Sequence, residues 1–406
     1  MLHVPIHYAA PGMDLAAPLY HPKRPGTVLL NQGVRLEARS IERLREIGVR
    51  DLWVRYPSLD CLRVQCNPEV IAEHGSVSRR VADMFEALHA DAHAPLEFAS
   101  YKSAITRLLN LLIGNARTAS YISEVLSADS ALVRHAANVC FLALLMGVKL
   151  DEYLIMQRSR LPAQKAKDIG ALGLGAMLAD IGILHLPIEV RQRWEKTRDE
   201  ADPEWRRHVV IGFERVRGSV NAAAAAVVLH HHQRLDGSGF PMRQALSGDV
   251  EPVEGDDIHV FARIAAVADE FVRARFGVTA DDPPATRVRA LRHMLALSTR
   301  TQFDHAVMRA LFAVAPPFPP GSIVVLSDER TAAVVAWSPA DPCRPLVQVV
   351  DFTKPPDWDS KPERIDLAAD TSVAIVQAEG QSVQRDMITR EELERHGLLM
   401  PIRSAG

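Results

Sequence analysis

The sequence predicts a mainly α protein, a central helical bundle with a small α/β module before it and a small β module after it. Three observations predict this. Between residues 128 and 315 apolar residues recur almost throughout at helical spacing. The cluster Pro316-Pro317-Phe318-Pro319-Pro320-Gly321 then ends any helix, because proline lacks the amide donor and clashes with the preceding turn. Beyond it lie the β-branched runs Ser322–Leu326, Ala332–Trp337 and Leu346–Asp351, the first two separated by the turn-prone Ser327-Asp328-Glu329-Arg330, which reads as a small antiparallel sheet.

The remaining elements follow in order. Residues 1–60 read as the small mixed module: a strand at Thr27–Asn31, a helix at Ser40–Ile47 stopped by Gly48, and a second strand at Asp51–Tyr56. Residues 61–127 read as a helical linker, with Val81, Met84 and Leu88 on one face. The helical domain spans 128–315, the β module 316–380, and a polar tail 381–406.

A chain of 406 residues is too long for one ordinary core. With 48% apolar and 24% charged residues it has the composition of a globular protein. A net charge of -3 gives no electrostatic reason to expect nucleic acid or an anionic membrane as a partner. The four cysteines, Cys61, Cys66, Cys140 and Cys343, show no C-x-x-C pairing, so neither a disulfide scaffold nor a thiolate metal site is expected, and a reducing cytoplasm fits. The start, MLHVPIHYAAPGMD, lacks the basic and apolar regions of a signal peptide. The longest apolar run, Val139 to Val148, is about half a bilayer span and reads as a buried helix.

The chemistry concentrates in the central region. His135 lies in the stripe Leu132, Val139, Leu142, Met146. Asp180 sits between apolar residues in Met177-Leu178-Ala179-Asp180-Ile181-Gly182. His208 lies with Trp205, Ile211 and Gly212, and Asp269 near the end of the helix Phe261–Val272. A helix from Ala222 to Val228 runs into His230-His231-His232 and then Asp236-Gly237-Ser238-Gly239. A single buried carboxylate pairs readily with an arginine (Arg263 or Arg273 in the case of Asp269), and a single histidine on an apolar face is usually a satisfied core residue. Together they are harder to explain, since burying a charged carboxylate costs several kcal/mol unless it is compensated. The doublet His231-His232 at a helix end suits a cluster of more than one metal ion, and the two glycines allow a tight loop beside it. Imidazoles and carboxylates without thiolates suit iron, manganese or zinc. Two such ions polarise a phosphoryl oxygen and activate water for in-line displacement.

These strings resemble the HD-GYP family, the phosphodiesterases of bacterial cyclic-di-GMP signalling. His230-His231-His232-Gln233-Arg234-Leu235-Asp236-Gly237-Ser238-Gly239-Phe240-Pro241 is similar to the signature HHExxDGxGYP, a loop that HDOD relatives lack. Ala179-Asp180-Ile181-Gly182-Ile183 is similar to HDIGK, and His208-Val209-Val210-Ile211-Gly212 to the H-P-x-x-G helix. Phe261–Asp269 resembles F-A-R-I-V-A-V-A-D, Arg134–Val139 the helix of the first histidine ligand, and Thr301-Gln302-Phe303-Asp304 a further family string. The resemblance covers about 128–315 and implies an HD-type helical bundle. The flanks are also similar to modules often joined to that domain.

The resemblance implies metal ligands at His135, Asp180, His208, His231, His232 and Asp269, with Asp180 also the catalytic residue that bridges the ions. It implies one or two divalent ions (Fe, Mn or Zn), cyclic di-GMP or a related nucleotide as ligand, and a signalling partner protein or the substrate at Asp236, Gly237, Gly239, Phe240 and Pro241. Neither nucleic acid nor membrane is implied, and a homodimer stays open. The departures fall at the site itself. The HD histidine is Ala179, the HDIGK lysine is Ile183, the HHE glutamate is Gln233 and the GYP tyrosine is Phe240. One metal position therefore lacks an imidazole while the other keeps Asp180, His208, His231 and His232. Hydrolysis of cyclic di-GMP is expected to be weakened, the alternative being a silent module that acts by binding nucleotide or a partner protein. Asp168-Ile169-Gly170 is a decoy for the HD motif, because the spacing to His208 and the following Leu186-Pro187 favour Asp180.

Overall fold

The structure, a computed structural model, describes residues 2–22, 27–49, 51–59, 62, 68–114, 130–245, 247–277, 284–338, 340–352 and 361–399. The stretch 115–129, where the expected linker passes into the helical domain, lies outside the described residues, as does the end of the tail.

The N-terminal module contains β1 (Leu2–Pro5), β2 (Leu19–Tyr20), β3 (Val28–Leu30), α1 (Ala38–Ile47) and β4 (Asp51–Val54). Gly48 ends α1 in the left-handed region (φ 89°), where its amide reaches the Arg45 and Leu44 carbonyls. β1 pairs antiparallel with β4, and β2 with β3. The helical part comprises α2 (Pro68–Ala90), α3 (Phe98–Gly114), α4 (Ala131–Lys149), α5 (Asp151–Gln157), α6 (Ala163–Ala166), α7 (Gly170–Leu178), α8 (Ile188–Thr197), α9 (Pro203–Val216) and α10 (Ala222–His230). After a small hairpin, β5 (Arg243–Gln244) with β6 (Val250–Glu251), come α11 (Val260–Phe276), α12 (Arg287–Ser298) and α13 (His305–Val314).

Side chains in place set the helix starts. Asp202 accepts from the Glu204 and Trp205 amides, with Pro203 at the first helical position of α9, and Asn221 accepts from Ala224 at the head of α10. α4 is buried nearly all round and packs against α7 and α11, while α7 packs against α10. By length and composition α4 could cross a membrane, as could Ala163–His185, but 72% and 67% of their apolar windows are buried in the bundle. α4 extends on both sides of the run Val139 to Val148 from which a half-span was expected.

The β module is a six-stranded antiparallel sheet in the order β10-β9-β8-β7-β11-β12. Its strands are β7 (Ile323–Leu326), β8 (Thr331–Ala336), β9 (Leu346–Val349), β10 (Arg364–Asp366), β11 (Ile375–Ala378) and β12 (Gln381–Ser382), followed by α14 (Arg390–Arg395). The sheet thus runs past residue 380, where the tail was expected to begin. Alternate residues face opposite ways. Val324, Leu326, Ala332, Val334 and Val347 join the core of the helical bundle. Ile323, Ala333, Val335 and Val350 join Leu2, Val4, Leu36, Leu52 and Val54 of the N-terminal module. One sheet therefore carries both cores.

Asp180 follows α7 and opens a 3-10 turn, Ile181–His185, that lies against α9. The contact is backbone on backbone. A Cβ on Gly182 would sit 2.0 Å from the His208 carbonyl oxygen and 2.7 Å from the Gly212 nitrogen. Neither atom can rotate away, so the absence of a side chain at 182 sets the distance between Asp180 and His208. Gly182→Ala is expected to destabilise the fold by about 1–3 kcal/mol, as overpacking does. It should also lower affinity for divalent ions, read by urea unfolding and by metal titration. An unchanged unfolding midpoint would show that the turn and α9 can part without cost.

Candidate metal centre

The six expected residues come together. Donor atoms of Asp180, His208, His231 and His232 lie within 4.8 Å of one another, and so do those of His135, Asp180 and Asp269. Asp180 belongs to both groups. His135 Nε2 lies 3.3 Å from Asp180 Oδ2 and 2.8 Å from Asp269 Oδ1. His208 Nε2 and His231 Nε2 lie 3.8 and 3.5 Å from Asp180 Oδ1. His208, His231, His232, Asp180 and Asp269 are all buried.

Each element aims its donor by backbone geometry. His208 Nδ1 faces the Trp205 carbonyl at 2.7 Å and His231 Nδ1 the Val228 carbonyl at 3.0 Å, both three residues back. A carbonyl accepts, so these contacts place the proton on Nδ1 and leave Nε2 with a free lone pair. Nε2 of His208, His231 and His232 is buried without a hydrogen-bond partner. Three orphaned imidazole nitrogens beside one buried carboxylate are costly as they stand, and they fit a divalent ion.

The electrostatics follow from this burial. Burial raises the Asp180 carboxyl, but the neighbouring His231, with His135 and His208, brings it well below its usual value. Asp269 is likewise raised by burial and brought down to about 2 by Arg273 and His135. Burial lowers His208 to about 4 and His232 well below its ordinary range. His231 is lowered by burial, yet Asp180 more than offsets this and leaves it raised.

The loop after the doublet, expected to meet a partner protein or the substrate, is only partly exposed. Asp236 and Ser238 are exposed, and Asp236 Oδ1 accepts from the Ser238 amide at 3.0 Å and from its hydroxyl at 2.6 Å, making it a turn former. Phe240 is buried, because its ring stacks on His232 (centroids 4.7 Å apart) and is capped by the Arg206 guanidinium at 4.8 Å. A Cβ on Gly239 would meet the backbone of His232, Gln233 and Arg234 at 2.5 Å, so only glycine lets the loop lie on the doublet. Gln233 donates from Nε2 to the Pro241 carbonyl at 2.5 Å. An ionised glutamate could not make that bond.

Ala179 is buried and offers no donor. Ile183 packs with Trp194, Trp205 and Leu186 rather than into a polar pocket. His185 is lowered by burial and by the charges of Arg215 and His93, and it belongs to neither donor group. Asp168, the decoy, is exposed and caps the Gly170 amide at 3.0 Å. Two residues went unassigned in the sequence. Glu200 lies in the loop before α9, where no periodicity marks it. Arg273 was visible only as a candidate partner of Asp269, four residues on. Beside His232 lies a cavity of about 240 Å³ lined by Glu200, Arg206, Arg234, Phe240 and Phe303, the Arg234 guanidinium stacking 4.7 Å above the Phe303 ring.

Comparisons with known proteins agree with this geometry. A family profile described as "HD domain" matches residues 153–307, and one described as "KOW domain associated with HD domain" matches residues 323–383. Over 108 residues the chain is 34% identical to the cyclic di-GMP phosphodiesterase response regulator RpfG of Xanthomonas campestris pv. campestris (strain 8004). That match covers 26% of each chain, so the chain spans about a quarter of that relative's length. A solved HDG"Y"P protein from Bdellovibrio bacteriovorus aligns over 76% of this chain and 97% of its own, at 15% identity and a TM-score of 0.42. The helical bundle with its His/Asp cluster is thus an HD domain, a class built around bound metal. Within that class the match to RpfG supports a likeness to the HD-GYP proteins over the 108 residues it covers.

Buried neutral histidines make the metal-free protein sensitive to acid. Burial brings His74 to about 3 and His208, His230 and His259 to about 4. Unfolded, all four would take up protons near their ordinary value, so between about pH 6.5 and 4 the unfolded state binds more protons and stability falls as pH falls. The slope is about 1.4 kcal/mol per pH unit for each such proton. His231, raised, acts oppositely, its contribution being complete below about 6.5 and lost as pH rises through its folded value. Chelated protein should therefore melt progressively lower from pH 6.5 to 5, by calorimetry. A flat profile would mean these rings are not buried neutral.

Proposed function

We propose that the chain is a metal-dependent phosphodiesterase of cyclic-di-GMP signalling with weakened turnover, built on a single divalent ion at Asp180, His208, His231 and His232. The observation that carries this reading is the set of three buried Nε2 atoms with no partner, converging on one carboxylate. The donor chemistry suits iron, manganese or zinc. Bound there, such an ion supplies Lewis acidity toward a phosphate oxygen or a water.

The protein's own groups do the rest. Asp180 holds its negative charge against burial and presents one oxygen to each donor group. Arg206 and Arg234 line the cavity beside His232, each held flat on an aromatic face. They take the role expected of the lysine that Ile183 replaces, since a guanidinium forks onto phosphate oxygens. Phe240 and Phe303 offer faces on which a guanine base can stack. The relative RpfG is named a cyclic di-GMP phosphodiesterase, which supports the same ligand here.

A second reading, a silent module that binds the nucleotide or a partner protein through the exposed turn at Asp236, is favoured by Ala179. It puts a methyl group where a ligand is expected.

The test is turnover of cyclic di-GMP by metal-loaded protein. A rate well below the ~10 s⁻¹ typical of enzymes is expected. Asp180→Asn should abolish it together with metal binding. Arg234→Ala should weaken nucleotide affinity about tenfold with metal content unchanged, as loss of one charge-assisted contact does. Turnover surviving Asp180→Asn would end the hydrolase reading, and nucleotide binding without turnover would select the silent module.

A further inference from the structure

The two donor groups sharing Asp180 are not in the same condition. In the first, the Nε2 atoms of His208, His231 and His232 have no partner. In the second, both oxygens of Asp269 are already engaged. Oδ1 faces His135 Nε2 at 2.8 Å, and Oδ2 accepts from Arg273 Nη2. Arg273 lies four residues after Asp269 on α11, so its side chain falls on the same face, one turn on. Its side chain is only 12% exposed. It forms a second ion pair with Glu200, and its Nη2 lies 3.4 Å from His232 Nδ1.

A guanidinium this deep is stable only where carboxylates surround it. Glu200 and Asp269 supply that, and Asp180 and Glu270 add to the same negative field. Arginine stays protonated at any ordinary pH, so the charge is permanent. A divalent ion at His135, Asp180 and Asp269 would have to take Asp269 from Arg273 and then sit a few Å from a fixed positive charge inside the protein. In the first group the guanidinium reaches only His232 Nδ1 and leaves the Nε2 atoms of His208, His231 and His232 without a partner.

We propose that Arg273 is a built-in replacement for a second metal ion: its guanidinium neutralises Asp269 and keeps the His135/Asp180/Asp269 position free of metal, so the centre takes one ion. This rests on the one-ion reading above and adds its cause. Ala179 removes one donor from the neighbourhood, but the resident cation is what excludes the ion. Arg273 is here a positioning and specificity residue, acting through Asp269.

The experiment is manganese titration of the full chain with two readouts, bound equivalents by elemental analysis and the electron paramagnetic resonance spectrum. Two Mn²⁺ ions a few Å apart give a spin-coupled signal that an isolated ion does not. Wild type should bind one equivalent with an uncoupled spectrum. Arg273→Met should bind two and show the coupled signal, while Arg273→Lys, which keeps a cation, should stay at one. Ala179→His with Arg273 intact should also stay at one. If Arg273→Met does not fold, Arg273→Gln decides the same question. A folded Arg273→Met or Arg273→Gln protein holding one ion would overturn the role of Arg273 and leave the one-ion centre standing. Two coupled ions in Ala179→His would overturn it as well, because the missing imidazole would then be the cause. Two ions in wild type would overturn both the role of Arg273 and the one-ion count, and none in any variant would remove the metal centre itself.

Discussion

Asp180 and Asp269 keep their negative charge in the middle of an apolar helical bundle, and much of the surrounding structure answers to that cost. Isolated carboxylates at this depth would sooner take up protons than stay charged. Here they are held ionised by groups arriving from four directions: His135 from α4, His208 from α9, His231 from the end of α10, and Arg273 from α11 itself. Each of these elements is fixed by something other than the charge it brings. α4 is buried nearly all round, α9 is set by the glycine contact at 182, and the His231-His232 doublet lies under a loop that needs glycine at 239. The packing is apolar, and its effect is to hold five or more polar atoms at distances where one small cation satisfies several of them at once.

The departures from the HD-GYP pattern cohere when seen from the same constraint. Gln233 donates to the Pro241 carbonyl, a bond that a glutamate would lose on ionising. Ile183 is absorbed into the Trp194/Trp205 cluster beneath α9, where a lysine would bring a charge into apolar surroundings. Ala179 offers no donor, and Arg273 sets a cation on Asp269. Arg206 and Arg234 bring positive charge to the cavity beside His232.

Much of this was legible in the sequence, for identifiable reasons. Helices such as α4 and α11 are long and periodic, and Gly48 and the proline cluster mark the stops of α1 and α13 with backbone chemistry. The six residues of the cluster stood out because charge in an apolar stripe is conspicuous. β1 did not, since its four residues gain their meaning only from pairing with β4, some fifty positions away. β10, β11 and β12 are short edge or near-edge strands whose polar residues mask the alternation. The burial of Phe240 was missed because a Gly-rich loop suggests exposure, while the ring stack on His232 is a tertiary fact. Arg273 carried an i,i+4 signal toward Asp269, but nothing local showed that Glu200 would close over it.

The central claim is that one ion sits at Asp180, His208, His231 and His232. Its most direct test is an X-ray structure of manganese-soaked crystals, with anomalous differences recorded at the metal edge. The account predicts one strong peak touching those four side chains at about 2.0–2.3 Å, with the Arg273 guanidinium still on Asp269. A peak between His135, Asp180 and Asp269, or no peak at either position, would contradict it.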